Sequence, residues 1–141
     1  MRVASNVSRY ALAVLLLSIV ALTGCYSSNN GPDRFQLSGK VTFDGKPIPL
    51  GNMLFTPDRA KGNTGPGAMA EIKDGEYRTP DGSGTIGGPM KVEIVGWDGV
   101  PYTMHGETIE SGRELFKSYK AEVDVPKQDA ELDFDIPKSS K

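Results

Sequence analysis

The chain has 141 residues, of which 16 are basic, 18 are acidic and one is cysteine. Residues 1–24 hold two of the basic residues and no acid, so the 117 residues that follow carry a net charge of −4. No basic stripe is left to neutralise phosphates, which argues against a nucleic-acid partner. A segment of 117 residues is enough for one compact domain and too short for two.

The start of the chain has the pattern of an export signal. Met1–Tyr10 contains Arg2 and Arg9 but no acid, and Ala11–Leu22 is a twelve-residue run with one polar member. This length is typical of the apolar part of a signal peptide. It is short of the ~20 residues that a membrane-spanning helix needs. We therefore expect a helical signal peptide over residues 1–24 that is cleaved off.

The residues at the end of this run, Leu22, Thr23 and Gly24, directly precede Cys25. The four together resemble the bacterial lipobox. The resemblance implies cleavage before Cys25, a diacylglycerol on its sulfur and an acyl group on the new amine, with no other cofactor. It also explains why an exported chain holds one unpaired thiol, which would otherwise invite unwanted disulfides. Two or more acyl chains make such an anchor stable, so the membrane is an expected partner.

Two features after the cysteine bear on location. Tyr26 stands where some Gram-negative systems place an aspartate that retains lipoproteins in the inner membrane, so the outer membrane is favoured. Residues 25–34 are polar and form a predicted flexible tether. For a flexible chain, about 5–6 Å × √n gives roughly 17 Å of reach. The domain is expected to stay close to its anchor in the cell envelope.

The rest of the chain predicts an all-β domain over residues 35–137, because short apolar segments alternate with 17 glycines and 10 prolines in the whole chain. Alternation of apolar residues predicts seven strands. The predicted strands are 35–43, 52–56, 68–73, 76–79, 90–97, 115–125 and 130–136. Seven strands joined by short turns favour a single antiparallel β-sandwich. Residues 138–141 are expected to fray.

Two details of this prediction concern single segments. Met90–Trp97 is the most apolar strand and is expected to be central, and Asp74–Gly75 is expected to form a two-residue hairpin turn. Val100–Glu114 shows no pattern, so we expect a mobile loop there.

One stretch resembles a known family. Gly39-x-Val41-x-x-Asp44-Gly45-Lys46-Pro47-Ile48, followed by Gly51 and Phe55-x-Pro57, resembles the carboxypeptidase regulatory-like β-sandwich, also called transthyretin-like or prealbumin-like. The mature chain is also similar to small planctomycete lipoproteins that carry this domain. Further matching stretches are 62–66, 70–75, 87–89, 119–126 and 132–137. The resemblance implies a fold and a lipid anchor, and no catalytic activity, since this domain is an accessory unit in peptidases.

A candidate catalytic group lies in the unpatterned loop. His105, the only histidine, is close in sequence to Asp98, Glu107 and Ser111. A nucleophile, base and orienting group need a rigid frame at hydrogen-bond distance. We therefore interpret these residues as a solvated loop, with a small hydrolase as the weakest hypothesis and no enzyme activity expected.

Four acidic residues form a candidate calcium site. If the last two predicted strands pair with each other, Asp124 faces Asp133 and Glu122 faces Asp135. Like charges directly opposite each other destabilise a sheet. Neighbouring lysines, protection of a sheet edge or a bound Ca²⁺ with oxygen ligands would each relieve the repulsion.

Aromatic residues give the last candidate. Trp97 and Tyr102 would suit a ligand platform on which sugars stack, although aromatics at strand spacing are also typical of a core. The leading hypothesis is a non-catalytic, lipid-anchored envelope β-sandwich for binding, adhesion or structure, with an unknown envelope protein or glycan as partner. The alternative is a carbohydrate- or calcium-binding envelope module.

Overall fold

The structure is a computed structural model that describes residues 31–138. The predicted signal peptide, the lipobox with Cys25, residues 25–30 of the tether and the last three residues of the tail lie outside this part of the chain. Among the described residues, no helix has the length and apolar character to cross a membrane.

The described residues form eleven β-strands and one short 3-10 turn, Arg59–Lys61. The strands are β1 (Leu37–Phe43), β2 (Lys46–Pro47), β3 (Leu50–Pro57), β4 (Ala68–Lys73), β5 (Glu76–Arg78), β6 (Gly88–Trp97), β7 (Tyr102–Met104), β8 (Glu107–Ile109), β9 (Tyr119–Val125), β10 (Ala130–Glu131) and β11 (Phe134–Ile136). The prediction of an all-β domain is confirmed. A strand occurs at each of the seven predicted positions, and β2, β7 and β8 are additional.

Nine strands form one curled, largely antiparallel sheet, and β7 and β8 form a separate two-stranded ribbon. The main path runs β10–β1–β5–β4–β3–β6–β9. The second half of β1 pairs with β2 and β11 instead of β5 and β10. β1 therefore belongs both to the long path and to a small three-stranded layer at its end.

The core lies on the concave face of the curled sheet and is built from alternate residues of each strand. The buried apolar side chains are Leu37, Val41, Ile48, Met53, Phe55, Ala68, Ala70, Ile72, Tyr77, Met90, Val92, Ile94, Val125, Phe134 and Ile136. Phe134 of β11 lies 6.4 Å from Phe55 and 6.1 Å from Tyr77 between ring centroids, so the small layer packs on the long one. Each large apolar side chain buried in this way contributes about 1.5–3 kcal/mol.

Three tight turns have the same backbone conformation. Asp44–Gly45, Asp74–Gly75 and His105–Gly106 each place two consecutive residues at positive φ, near 53° for the first and between 71° and 86° for the second. This is the turn that joins two-residue hairpins without splaying the strands, and it favours Asp or Asn followed by Gly. The hairpin predicted at Asp74–Gly75 is confirmed, since β4 and β5 pair on either side of it.

The prediction for the last strand is wrong in two respects. It is split into β10 and β11, and both pair in parallel with β1 rather than with β9. At the break, the N–H of Leu132 donates to the carbonyl of Ser38 at 2.8 Å, and the N–H of Lys40 donates to Asp133 Oδ1 at 2.7 Å. A carboxylate thus replaces one backbone acceptor, which interrupts the regular ladder.

Two further outcomes concern the second half of the chain. β6 pairs on both sides, with β3 and β9, so it is an interior strand as expected, next to the edge strand β9. Val100–Glu114, expected to be a mobile loop, contains the β7–β8 hairpin. The His105–Gly106 turn explains the hairpin, because histidine is one of the few residues other than glycine that is enriched at positive φ.

Candidate functional site

The sheet has two different ends, which we call the chain-entry end and the hairpin end. β1 begins at the chain-entry end with Leu37, and the strands from β1 through β5, β4 and β3 to β6 alternate in direction. β6 therefore runs in the same direction as β1, and its last residue, Trp97, lies at the far end. The hairpin end carries the β7–β8 ribbon, which follows Trp97.

At the chain-entry end, the segment before β1 is fixed to two loops. The Arg34 guanidinium donates from Nη1 to the carbonyl oxygens of Gly67 at 3.1 Å and Gly84 at 2.9 Å. The backbone of Phe35 exchanges two hydrogen bonds with Thr85, at 2.7 and 2.9 Å. The last residues of the predicted tether are thus part of the folded domain.

The same end contains a polar contact that joins two glycine-containing stretches. Asn63 Nδ2 donates to the carbonyl oxygens of Gly87 at 2.9 Å and Pro89 at 2.8 Å. A Cβ atom on Gly88 would lie 3.3 Å from Asn63 Nδ2, so this close approach favours glycine. The stretches 62–66 and 87–89, which carry part of the family resemblance, form one structural unit.

Asp58 lies beside that unit and is almost completely buried. Its Oδ1 accepts from the Ala60 N–H at 3.1 Å, which caps the 3-10 turn, and lies 3.4 Å from Lys91 Nζ. A buried carboxylate needs such partners. Sequence patterning missed this residue, although Asp followed by a short turn ending in glycine is a capping signal.

At the hairpin end, Asp98 organises the base of the ribbon. Its Oδ1 accepts from the N–H of Val100 at 3.0 Å and of Arg113 at 2.9 Å. These two backbone bonds, the first of them the larger cause, lower the pKa of Asp98 below its ordinary value. The Asp98 N–H also donates to the Arg113 carbonyl at 3.0 Å, so both strands of the hairpin are tied together at one residue.

The hairpin exposes apolar surface beyond this base. Val100 is 59 % exposed and Met104 is 48 % exposed. The Arg113 guanidinium lies over the Tyr102 ring, 4.5 Å from its centroid, which is a cation–π contact that covers one face of the ring. Exposed apolar groups on a supported hairpin are a candidate contact surface for another molecule.

The two residues of the predicted ligand platform lie on different elements. Trp97 ends β6, opposite Leu50 of β3, and forms a bridge with Glu114, whereas Tyr102 belongs to the ribbon. Among the described residues, the contacting ring pairs are Phe43–Phe116, Phe55–Tyr77, Phe55–Phe134 and Tyr77–Phe134. Neither Trp97 nor Tyr102 belongs to one of them.

The residues of the hydrolase hypothesis all fall within or beside the hairpin. His105 forms the exposed turn, Glu107 begins β8 and is exposed, and Ser111 lies at the base, where its carbonyl accepts from the Gly99 N–H at 3.0 Å. Asp98 Oδ1 accepts two backbone N–H groups, so it is engaged in holding the hairpin together.

The four acidic candidates for calcium lie on strands that do not pair with each other. Glu122 and Asp124 are on β9, which pairs with β6. Asp135 is on β11, which pairs with β1, and Asp133 directly precedes β11. The pairing that would have placed them opposite one another is therefore wrong. Within residues 31–138, no three His, Cys, Asp or Glu side chains come together in a way that could hold a metal ion.

Glu122, Glu93 and Asp135 each have a local partner. Glu122 Oε2 lies 2.7 Å from Lys61 Nζ, and Glu93 Oε1 lies 3.8 Å from Lys120 Nζ. Asp135 Oδ1 accepts from Thr42 Oγ1 at 2.6 Å. Lys61 and Lys120 therefore lie next to acids on the outer face of β9 and β6.

Comparison of the chain with protein-family models, with curated proteins and with solved structures finds no match.

Proposed function

We propose that this chain is a lipid-anchored, non-catalytic protein of the bacterial cell envelope that serves as a binding, adhesion or structural module. The observation that carries the proposal is the sequence Leu22-Thr23-Gly24-Cys25 at the end of a twelve-residue apolar run. The signal peptide is removed before Cys25, and acyl chains on that residue hold the domain at the membrane, with the outer membrane favoured. An envelope protein or glycan is the expected partner.

The geometry of the described domain supports a role in contact with other molecules. The chain enters the sheet at the end where Arg34 is fixed, and the β7–β8 hairpin lies at the opposite end. The exposed Val100 and Met104 are at the end opposite to the one where the chain enters the sheet. We propose these two residues as part of the surface that meets the partner.

We also propose that the curled sheet belongs to the transthyretin-like sandwich class that the family resemblance implies. Seven strands make up the path from β10 to β9, which is the number predicted for that fold. The packing of Phe134 against Phe55 and Tyr77 is consistent with a second layer formed by β11. The transthyretin-like proposal rests on the sequence resemblance, and this count and this packing support it.

The anchor is tested by growing cells with labelled palmitate. We expect label on the wild-type chain and none on Cys25→Ser, because that substitution removes the sulfur that carries the diacylglycerol. A wild-type chain that takes up no label, or one that keeps its first 24 residues, would contradict the proposal.

The contact surface is tested by cross-linking in intact envelopes followed by purification of the chain. Met104→Lys should reduce the yield of the cross-linked partner at least fivefold. The matched control is Met69→Lys, since Met69 is 63 % exposed but lies on β4, away from the hairpin. Equal losses in the two variants would show that the hairpin is not the contact surface.

A further inference from the structure

The strand β9 forms one edge of the nine-stranded sheet. It pairs with β6 on one side only, whereas the other edge consists of the short strands β10 and β11. β9 is seven residues long, contains no proline and keeps a continuous register with β6 from Tyr119 to Val125. Short strands, prolines, bulges, inward charges and charged side chains, above all lysine, protect natural sheet edges from further pairing. Of these features, β9 has charged side chains, on Lys120, Glu122 and Asp124.

The backbone groups that β9 leaves open can be assigned from its neighbours. The N–H of Asp58, which follows β3, donates to the carbonyl of Pro89. The Pro89 carbonyl therefore points towards β3 and away from β9. The N–H of Leu115, on the β9 side, donates to the carbonyl of Gly96. Hydrogen-bonding directions alternate along a strand. The even-numbered residues of β6 from Gly88 onward therefore face β9.

The register between β6 and β9 then fixes the free groups. The residues opposite those even-numbered positions are Tyr119, Ala121, Val123 and Val125. The residues between them, Lys120, Glu122 and Asp124, point their N–H and C=O groups away from β6. Within residues 31–138, no backbone hydrogen bond outside the strand ladders reaches these groups. Three donors and three acceptors are available in a row.

The side chains of β9 are complementary to a second copy of the same strand. In an antiparallel pair centred on Ala121, Lys120 lies opposite Glu122 of the other copy, and Glu122 lies opposite Lys120. This register pairs residues whose backbone N–H and C=O groups point away from β6, which is what a hydrogen-bonded pair requires. It also sets unlike charges opposite each other at both places, which is the stabilising arrangement across strands.

The same register covers the apolar side of the edge. Tyr119, Ala121 and Val123 are half-buried in one copy. The register places Tyr119 opposite Val123 of the other copy, and an aromatic residue facing a β-branched one is a favourable cross-strand pair. Centring the pair one residue later sets Lys120 opposite Asp124 but opposes Glu122 to Glu122. The register centred on Ala121 has unlike pairs and no like pair, so the charges favour it.

From this geometry we propose that two copies of the chain associate through β9, antiparallel and centred on Ala121, so that two curled sheets become one. The contact is isologous, so it closes at two copies and does not lead to fibres. The inference concerns the edge of the sheet and is independent of the function proposed above.

The first test uses the full chain, purified in detergent and studied by density-matched sedimentation at increasing protein concentration. We expect a concentration-dependent dimer. Lys120→Glu and Glu122→Lys should each weaken it at least tenfold, because like charges then oppose each other. An equimolar mixture of the two variants should regain the dimer, since each then meets the opposite charge. Circular dichroism checks that both variants remain folded.

The second test reports the register through a disulfide. Ala121→Cys should form a cross-linked dimer under mild oxidation, because Cα atoms opposite each other at a non-hydrogen-bonded position are ~4.5 Å apart. Val123→Cys, two residues along on the same face, should cross-link at least fivefold less. The unsubstituted chain, whose one cysteine is Cys25, controls for cross-links through that residue.

The proposal is overturned by a chain that stays monomeric at every concentration, or by a dimer that neither charge variant weakens. It is equally overturned if mixing the variants does not restore the dimer, or if the two cysteine variants cross-link equally. Capture of a different polypeptide by β9 in a monomeric chain would overturn the second copy as the occupant.

Discussion

The side-chain nitrogen of Asn63 lies 2.8 Å from the carbonyl oxygen of Pro89, and it also donates to Gly87. One amide therefore satisfies two carbonyl groups in the segment that leads into β6, which pairs with both β3 and β9. The contact brings the loop after β3 to the start of β6. The contact therefore holds β6 in place, together with the strands β3 and β9 that pair with it.

We expect Asn63→Ala to lower the free energy of unfolding by about 1–3 kcal/mol, because the partly buried Gly87 carbonyl loses its donor and the Pro89 carbonyl keeps only the Asp58 N–H. Urea denaturation monitored by tryptophan fluorescence measures the change. Asn52→Ala, on the exposed outer face of β3, is the matched control and should change stability by less than about 0.5 kcal/mol. Equal effects of the two substitutions would contradict the assigned role.

Gly39 occupies the place where the last segment of the chain approaches β1 most closely. A Cβ atom there would lie 2.2 Å from the carbonyl oxygen of Leu132. Gly39→Ala must push β1 and the break between β10 and β11 apart, so we expect a loss of about 1–3 kcal/mol. Thermal unfolding measures it. Gly31→Ala, where a Cβ would meet nothing within 4 Å, should leave the melting temperature unchanged.

Tyr77 donates its hydroxyl to the same Leu132 carbonyl at 2.7 Å. Tyr77→Phe should cost about 1 kcal/mol at neutral pH, because the acceptor loses its partner. Tyr119→Phe, at a half-buried position on β9, is the control and should cost less. Urea titrations of both variants at neutral pH provide the comparison.

We also expect Tyr77 to make the stability of the fold depend on pH in the alkaline range. Burial, with smaller contributions from Asp133 and Glu131, raises the pKa of Tyr77 above its usual value. As the pH rises past about 10, the unfolded chain loses this proton while the folded chain keeps it, so stability falls. Tyr77→Phe should remove part of that fall. An identical alkaline profile in wild type and variant would show that Tyr77 makes no contribution.

We expect Asp98 to make the stability of the β7–β8 hairpin, and of no other part of the domain, depend on pH in the acidic range. The N–H groups of Val100 and Arg113 lower the pKa of this carboxyl in the folded state. Its stabilisation is therefore present above the ordinary carboxyl pKa of about 3.9 and is lost as the pH falls through the lower folded-state value. NMR amide shifts of the two donors should change in that acidic range.

The control for Asp98 is in the same hairpin. Asp98→Ala should give at neutral pH the amide shifts that the wild type reaches only in acid, while the core amides of β3 and β4 stay unchanged. Glu110→Ala, an exposed position between β8 and the hairpin base, should leave the Val100 and Arg113 amides as they are. Loosening of the whole sheet by Asp98→Ala would contradict a local role.

Local patterns in the sequence predicted the strands well and their partners poorly. Met53 and Phe55, or Val92 and Ile94, alternate with polar residues and are buried as predicted, because period-two patterning reports directly on burial. The alternation of Leu132, Phe134 and Ile136 is equally clear. It does not say whether that segment pairs with β1 or β9, since either neighbour buries the same face.

The candidate sites, too, depend on strand partners that local patterns do not predict. The opposed acids on β9 and β11 depended on a pairing that period-two patterning cannot specify, so that candidate site is not assembled. Asn63 donates to carbonyls 24 and 26 residues away, and Asp58 lies 3.4 Å from Lys91 Nζ on another strand. A local pattern does not register such contacts. The hairpin at His105–Gly106 was missed because its strands are only three residues long and mostly exposed.

The contact between Arg34 and the carbonyls of Gly67 and Gly84 has a mechanical consequence. A pull on the N-terminal segment reaches this guanidinium before it reaches the first pairs of β1. The force is then divided between two loops that lead into different strands, and the ladder hydrogen bonds are not opened one by one from the end. A pull on the N-terminal segment is thereby resisted by two loops before the sheet can unzip from its first pair.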